Sequence, residues 1–188
     1  MANALSLLRL TLVPPLAWAI LGGGTAAARV AALLFVVAIA SDLLDGRIAR
    51  RRGTTSALGR ALDHGSDFAF VASGLAAAAV RGVVPWLLPG LVALAFAQYA
   101  VDSYLLQRTR RLRMSALGRW NGILYFVPLG GVILVDLGAD VLAVLIAPVS
   151  WALVVSTLAS MADRLLELGR RRTAPDSRGG ETAPRSPR

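Results

Sequence analysis

Four of the 11 acidic residues, Asp42, Asp45, Asp63 and Asp67, fall within one stretch of 26 residues. Each sits in an otherwise apolar run. An ionisable group at membrane depth is costly and marks a functional site. One structural Asp–Arg pair explains one such residue but explains four poorly. Asp42, Asp45 and Ala49 are spaced i, i+3, i+7, and Gly59, Asp63 and Asp67 are spaced i, i+4, i+8. On helices, each set shares one face. Folded as an antiparallel hairpin about residue 54, Asp45 lies level with Asp63 and Asp42 with Asp67. The carboxylates then form two adjacent layers roughly 13–19 Å from the turn. So much negative charge cannot stay ionised without cations. The chain has no Cys and one His, His64, so the available ligands are oxygens. Oxygen ligands suit one or two Mg²⁺ or Mn²⁺ ions. A two-metal carboxylate site suits phosphoryl transfer, and an Asp can also serve as general base to a hydroxyl. Gly46, Ala49 and Gly59 leave two readings open: close approach of a flat ligand, or tight small-residue helix packing.

The elements that must carry these residues are membrane spans. Of the 188 residues, 56% are hydrophobic and 16% charged, with mean hydropathy +0.62. Soluble domains carry about 25% charged residues, so an ordinary soluble enzyme is excluded. Six apolar runs of bridging length are read at about 5–21, 26–50, 56–80, 86–106, 117–137 and 140–168, each close to the ~20 residues a span needs. The expected fold is all-α: a polytopic integral membrane protein of six transmembrane helices. Its N-terminal segment, with Arg9, is expected along the interface. Pro14-Pro15 should kink the first span or delay its start. Residues 1–168 form the membrane domain. Residues 169–188, rich in Arg, Pro, Gly and Ser, are expected to be a disordered cytoplasmic tail. No signal-peptide cleavage pattern is visible, and the N-terminus is expected to be retained.

All 20 basic residues are Arg, and the net charge is +9. They alternate by side. Arg50-Arg51-Arg52, the cluster from Arg108 to Arg119, and Arg170-Arg171-Arg172 share one side. Arg29, Arg81, Asp136 and Asp140 share the other. The positive-inside rule then places both termini, and the carboxylates, at the cytoplasmic face. No basic face with interleaved aromatics is visible, so nucleic acid is not an expected partner. Asp136 and Asp140 are expected to be bystanders at the opposite face. Trp18, Trp86, Trp120 and Trp151 suit either interface anchoring or core packing.

The string Asp42-Leu-Leu-Asp45-Gly46-Arg-Ile-Ala49-Arg50, eight residues, then Gly59-Arg-Ala-Leu-Asp63-His-Gly-Ser-Asp67 resembles the signature of the CDP-alcohol phosphotransferases without a gap. The stretch Leu5-Ser6-Leu7-Leu8-Arg9 followed by Pro14 is similar to family members too. The resemblance implies transfer of a substituted phosphate from a CDP-alcohol to a hydroxyl, releasing CMP. It implies that Asp42, Asp45, Asp63 and Asp67 hold the metal, with Asp67 also the catalytic general base. Gly46, Ala49, Arg50 and Gly59 match positions around the cytidine diphosphate. Members are commonly homodimers.

The acceptor is less determined. Phosphatidylglycerophosphate synthases typically read Asp-Pro-x-Ala-Asp-Lys where this chain reads Asp63-His64-Gly65-Ser66-Asp67-Phe68. That piece is more similar to choline and ethanolamine phosphotransferases. Gly118-Arg119-Trp120-Asn121 loosely resembles a Gly-Lys-x-Lys stretch of glycerophosphate-using members, which makes Arg119 a candidate for an acceptor phosphate. The reading favoured by the sequence is a phosphatidyltransferase of the bacterial inner membrane. Its substrates are CDP-diacylglycerol and a small polyol or polyol phosphate, of the glycerol 3-phosphate or inositol phosphate type. The alternatives are a CDP-choline or CDP-ethanolamine phosphotransferase acting on diacylglycerol and, from another class, a divalent-cation transporter. No inverted repeat supports the last.

Overall fold

The computed structural model describes residues 2–52, 57–106 and 116–173, with side chains described over 6–44, 64–98, 100–101, 118 and 120–166. Among them the chain is all-helical. Its elements are α1 (Ala2–Gly22), α2 (Gly24–Arg52), α3 (Ala57–Val80), α4 (Leu87–Leu106), α5 (Ala116–Leu124), α6 (Phe126–Asp136), a 3₁₀ turn (Asp140–Leu142) and α7 (Ala143–Thr173). Residues 174–188 and the connection 107–115 lie outside the described residues. Gly169–Thr173, expected to open the tail, instead continue α7.

Two expectations about the spans change. Of the two outcomes expected at Pro14-Pro15, a kink or a late start, the late start does not occur: the first helix begins at Ala2 and runs through both prolines. The run expected as one fifth span is divided at Tyr125 into α5 and α6. Pro128 supplies the reason: it has no N–H for the Leu124 carbonyl, and its ring crowds that carbonyl. Tyr125 keeps helical dihedrals (φ −63°, ψ −23°) and its N–H bonds the Asn121 carbonyl at 3.0 Å, so the interruption is local.

Two segments, Gly24–Leu44 and Asp140–Leu166, are long and apolar enough to cross a membrane; Ser6–Gly22, Leu87–Gln98 and Trp120–Asp136 are shorter apolar helices. Much of the outer surface is apolar. Leu33, Val36, Val141, Val144, Val155 and all four Trp residues are exposed. A water-facing monomer rarely tolerates so much contiguous apolar surface, whereas hydrocarbon imposes no such cost. The Trp residues thus lie on the outside and not in the core, Trp18 at 80% exposure.

The packing centres on α1, which lies against both α3 and α2. Further out, α3 packs on α4 and α6, α2 on α6, and α7 on α4, α5 and α6. Leu16 and Ile20 of α1, Phe70 and Leu75 of α3, Leu88 and Val92 of α4, and Leu129 and Val132 of α6 fill the core. Close approach requires Gly74: a Cβ there would stand 2.7 Å from one methyl of Leu129 and 3.3 Å from a methyl of Leu16. The α1–α2 turn is equally tight. Gly23 adopts φ +60° with the Arg81 guanidinium 3.2 Å from its would-be Cβ, a conformation and a clearance that suit glycine.

Candidate functional site

Among the described residues Arg9 is the largest fully buried side chain, at 1% exposure. Its side chain thus turns inward among the helices and not towards lipid or water. On α1 it belongs to the same buried stripe as Ser6, Leu16, Ala19 and Ile20, the i, i+3, i+7 pattern of an inward helix face. That stripe is turned towards α3 and α2, so the guanidinium arrives between them. Its Nη1 donates to Ser66 Oγ at 3.2 Å and to Asp67 Oδ1. Its Nη2 lies 3.5 Å from Asp42 Oδ1.

Asp42 and Asp67, the pair expected at matched depth, therefore meet on one guanidinium. Among the described residues α1 packs against both α2 and α3, and its Arg9 joins the carboxylates. The reason is the cost of charge. An isolated guanidinium buried in apolar surroundings is prohibitive, and carboxylates on both sides offset it. Asp42 stays half exposed and Asp67 one-quarter exposed, so the cluster is reached from solvent on the Asp42 side.

Asp45, Gly46, Ala49 and Arg50 belong to α2, and Gly59 and Asp63 to α3; Arg119 belongs to α5. The side chains among these lie outside the described residues. Their helix positions follow from spacing: Asp45 is three residues beyond Asp42, and Asp63 is four before Asp67. Among the described side chains no group of three metal-ligating residues is assembled. His64 is exposed on α3.

The chemistry of the donor set fits a hard divalent cation. Carboxylate oxygens are hard donors of the kind Mg²⁺ and Mn²⁺ take, and no thiol exists in the chain; among the described residues the cation that Asp42 and Asp67 share is the Arg9 guanidinium. Arg9 is the residue at this cluster that the site residues expected from sequence did not include. Its signal was available: a lone Arg within an apolar helix, in a stretch already similar to family members.

A second polar group lies deeper, between α4, α5 and α7. Tyr125 and Thr157 share a hydroxyl–hydroxyl bond of 2.7 Å. Because the Thr157 hydroxyl donates to the Leu153 carbonyl, Tyr125 is the donor in that bond. Ser156 donates to Asn121 Oδ1 at 2.7 Å. Phe68, next to Asp67 in the chain, stacks on Phe96 with ring centroids 4.6 Å apart and forms part of this region's wall.

At the opposite end of the molecule Arg81 pairs with Asp136 through two bonds, Nη1–Oδ2 at 2.5 Å and Nη2–Oδ1 at 2.8 Å. Nη1 also donates to the Ile20 carbonyl at 3.0 Å. The Asp136 hydrogen bond holds the Arg81 pKa above its ordinary value, with burial opposing. Asp136 is no part of the carboxylate cluster, but it joins the α3–α4 turn to the end of α6.

Comparison with known proteins gives the chain's family. A family model described as CDP-alcohol phosphatidyltransferase matches residues 1–158. A cardiolipin synthase (CMP-forming) of Streptomyces coelicolor is 39% identical over 89 residues, 45% of this chain and 41% of the relative. A probable phosphatidylglycerophosphate synthase of Mycobacterium tuberculosis is 36% identical over 95 residues, 49% of this chain and 46% of the relative. The chain thus matches less than half the length of these curated relatives.

Proposed function

Because the chain belongs to the CDP-alcohol phosphatidyltransferase family, we propose that it transfers a phosphatidyl group from CDP-diacylglycerol to a hydroxyl of a small polyol or polyol phosphate, releasing CMP. The observation that carries this reading is the meeting of Asp42 and Asp67 on buried Arg9. It places the first and last carboxylates of the sequence pattern at one point, beside a solvent-reachable face.

In this reading Asp67 takes the proton of the acceptor hydroxyl. The acceptor oxygen forms a bond to the β-phosphorus, the bond from that phosphorus to the bridging oxygen breaks, and CMP leaves with that oxygen. Arg9 holds Asp67 in place; positioning of this kind contributes through orientation. Asp42, Asp45, Asp63 and Asp67 would hold one or two Mg²⁺ or Mn²⁺ ions, which when bound supply neutralisation of charge on the diphosphate and the departing CMP. Gly46, Ala49, Arg50 and Gly59 would surround the cytidine diphosphate, and Arg119 would meet an acceptor phosphate.

The same reading sets the chain in a bacterial inner membrane as a six-span subunit of a homodimer. α5 and α6 together make one span, and Arg9 and both termini face the cytoplasm. The distribution of Arg residues supports that orientation. The test is CMP release by the purified protein with Mg²⁺ or Mn²⁺. CDP-diacylglycerol, CDP-choline and CDP-ethanolamine are each supplied across an acceptor panel. CMP from CDP-diacylglycerol alone is expected; CMP from no donor would sink the enzyme reading.

A further inference from the structure

Arg9 holds its two carboxylates unequally. Its Nη1 donates to Asp67 and, at 3.2 Å, to Ser66 Oγ, both on α3. Ser66 is buried, and the Asp67 side chain is 25% exposed. The contact with α2 is of another kind. Arg9 Nη2 stands 3.5 Å from Asp42 Oδ1, and the Asp42 side chain is 49% exposed. That distance lies outside the roughly 2.7–3.2 Å range of an N–H···O bond. Charge carries the contact, and water on the Asp42 side weakens it.

A hard divalent cation takes carboxylate oxygens at about 2.0–2.6 Å. At any one effective dielectric, two charges at about 2.1 Å attract a carboxylate about three times as strongly as one charge at the 3.5 Å of Arg9 Nη2. Arg9 therefore loses Asp42 to such a cation arriving from the solvent side. Asp67 faces no such choice. A carboxylate has two oxygens, so Asp67 can serve a cation through one while Arg9 stays on the other.

We propose that Arg9 is the resident counter-ion of the metal-free centre, and that divalent-cation binding exchanges its Asp42 contact while its Asp67 bond persists. The proposal rests on the metal set of the transferase reading and adds what Arg9 does before that set is loaded. In the metal-free centre Arg9 offsets the mutual repulsion of Asp42 and Asp67, and so ties α2 and α3 together through α1. Loading then works against Arg9, whose charge both engages Asp42 and repels the incoming cation. A purely structural Arg9 would act with the opposite sign: its loss would disorder the ligands and weaken cation binding.

The test measures that sign. Full-length protein in nanodiscs, with neither donor nor acceptor, is stripped with EDTA and titrated with Mn²⁺, and binding is followed by loss of the free-Mn²⁺ EPR signal. Arg9→Met is expected to bind Mn²⁺ about tenfold more tightly than wild type, the low end of what one neighbouring charge contributes. Arg9→Lys keeps the charge and is expected to bind as wild type does. Arg9→Gln keeps a donor for Asp67 without the charge, is expected to match Arg9→Met, and decides alone if Arg9→Met does not fold. Thermal unfolding gives a second readout. Without metal, the variants lacking the charge are expected to melt below wild type, and saturating Mg²⁺ is expected to narrow the gap, because tighter binding stabilises more. Unchanged or weaker Mn²⁺ binding in Arg9→Met and Arg9→Gln, or a melting gap that Mg²⁺ leaves open, overturns the exchange and leaves the transferase reading standing. No Mn²⁺ binding by wild type or any variant overturns the exchange together with the metal part of that reading. Tighter binding in Arg9→Met, in a protein whose wild type releases no CMP from any donor, upholds the exchange and sinks the transferase reading instead.

Discussion

The molecule has an arginine–aspartate centre at each end, and the two are built on opposite principles. At one end Arg81 meets Asp136 alone, in a two-bond fork, with the Ile20 carbonyl taking a further N–H. One positive charge faces one negative charge. At the other end the Arg9 guanidinium meets both Asp42 and Asp67, while Asp45 and Asp63 stand within one helical turn of them along the chain. One positive charge faces a surplus of carboxylates. A balanced fork is complete as it stands and needs nothing from solution. A surplus is relieved only by protonation or by further cations. The same residue types thus make a clasp at one end and a receptive centre at the other, and the charge count is what separates them.

The largest expected effect sharpens this contrast. Asp67→Asn is expected to lower CMP release by about 1,000-fold or more, within the range for losing a positioned general base, while CDP-diacylglycerol binding is retained. Full turnover in that variant would remove Asp67 from the base role. Asp136→Asn, which carries the same change to the other end, is expected to leave the KM for CDP-diacylglycerol unchanged. Chelation divides the ends in the same way. EDTA is expected to abolish CMP release, with recovery on Mg²⁺ or Mn²⁺; activity that survives exhaustive chelation would contradict the surplus argument.

Next in size is Arg9→Met. Losing the group that holds Asp67 is expected to cost about 100-fold in kcat, the scale of a small misplacement at a reacting centre. Removing the opposing charge as well, in Arg9→Met with Asp67→Asn, is expected to restore nothing, because Asp67 is needed for chemistry. A double variant more active than either single one would make Arg9 and Asp67 a clasp like the other end.

These contrasts were legible in the sequence to different degrees. Asp42 and Asp67 were visible because helical spacing and equal distance from a turn are properties of the chain itself, and the structure brings them to one point. Arg9 stood out as a lone Arg in an apolar helix, but its pairing did not, because Ser66 and Asp67 lie 57 and 58 residues away and nothing beside it in sequence announces them. In isolation, an Arg near the end of an apolar run reads as an interface residue. The division at Tyr125 had its signal in Pro128, hidden because the apolar run continues unbroken through it. Asp136 was placed at the correct turn but without its partner, since an ion pair across elements follows from packing. The Ser156–Asn121 bond needs two helices to meet, which no local pattern encodes.

The smallest effect tests the balanced end by preserving its balance. Arg81→Met alone leaves Asp136 with its charge and no fork, and strips the Ile20 carbonyl of a donor. Both side chains are largely but not fully buried, at 23% and 15% exposure, so the full cost of breaking a buried pair is reduced by the remaining solvent. A loss of about 2 kcal/mol in stability is expected. Arg81→Met with Asp136→Leu removes both charges together. Apolar replacement of a whole pair is often neutral or stabilising, so the double variant is expected to recover most of that loss. The measurement is thermal unfolding in detergent, with CMP release as control. Recovery of stability at unchanged KM identifies a clasp whose work is finished once the helices are joined. A double variant as unstable as Arg81→Met would show instead that the Ile20 carbonyl, and not the charge pair, is what Arg81 is there to hold.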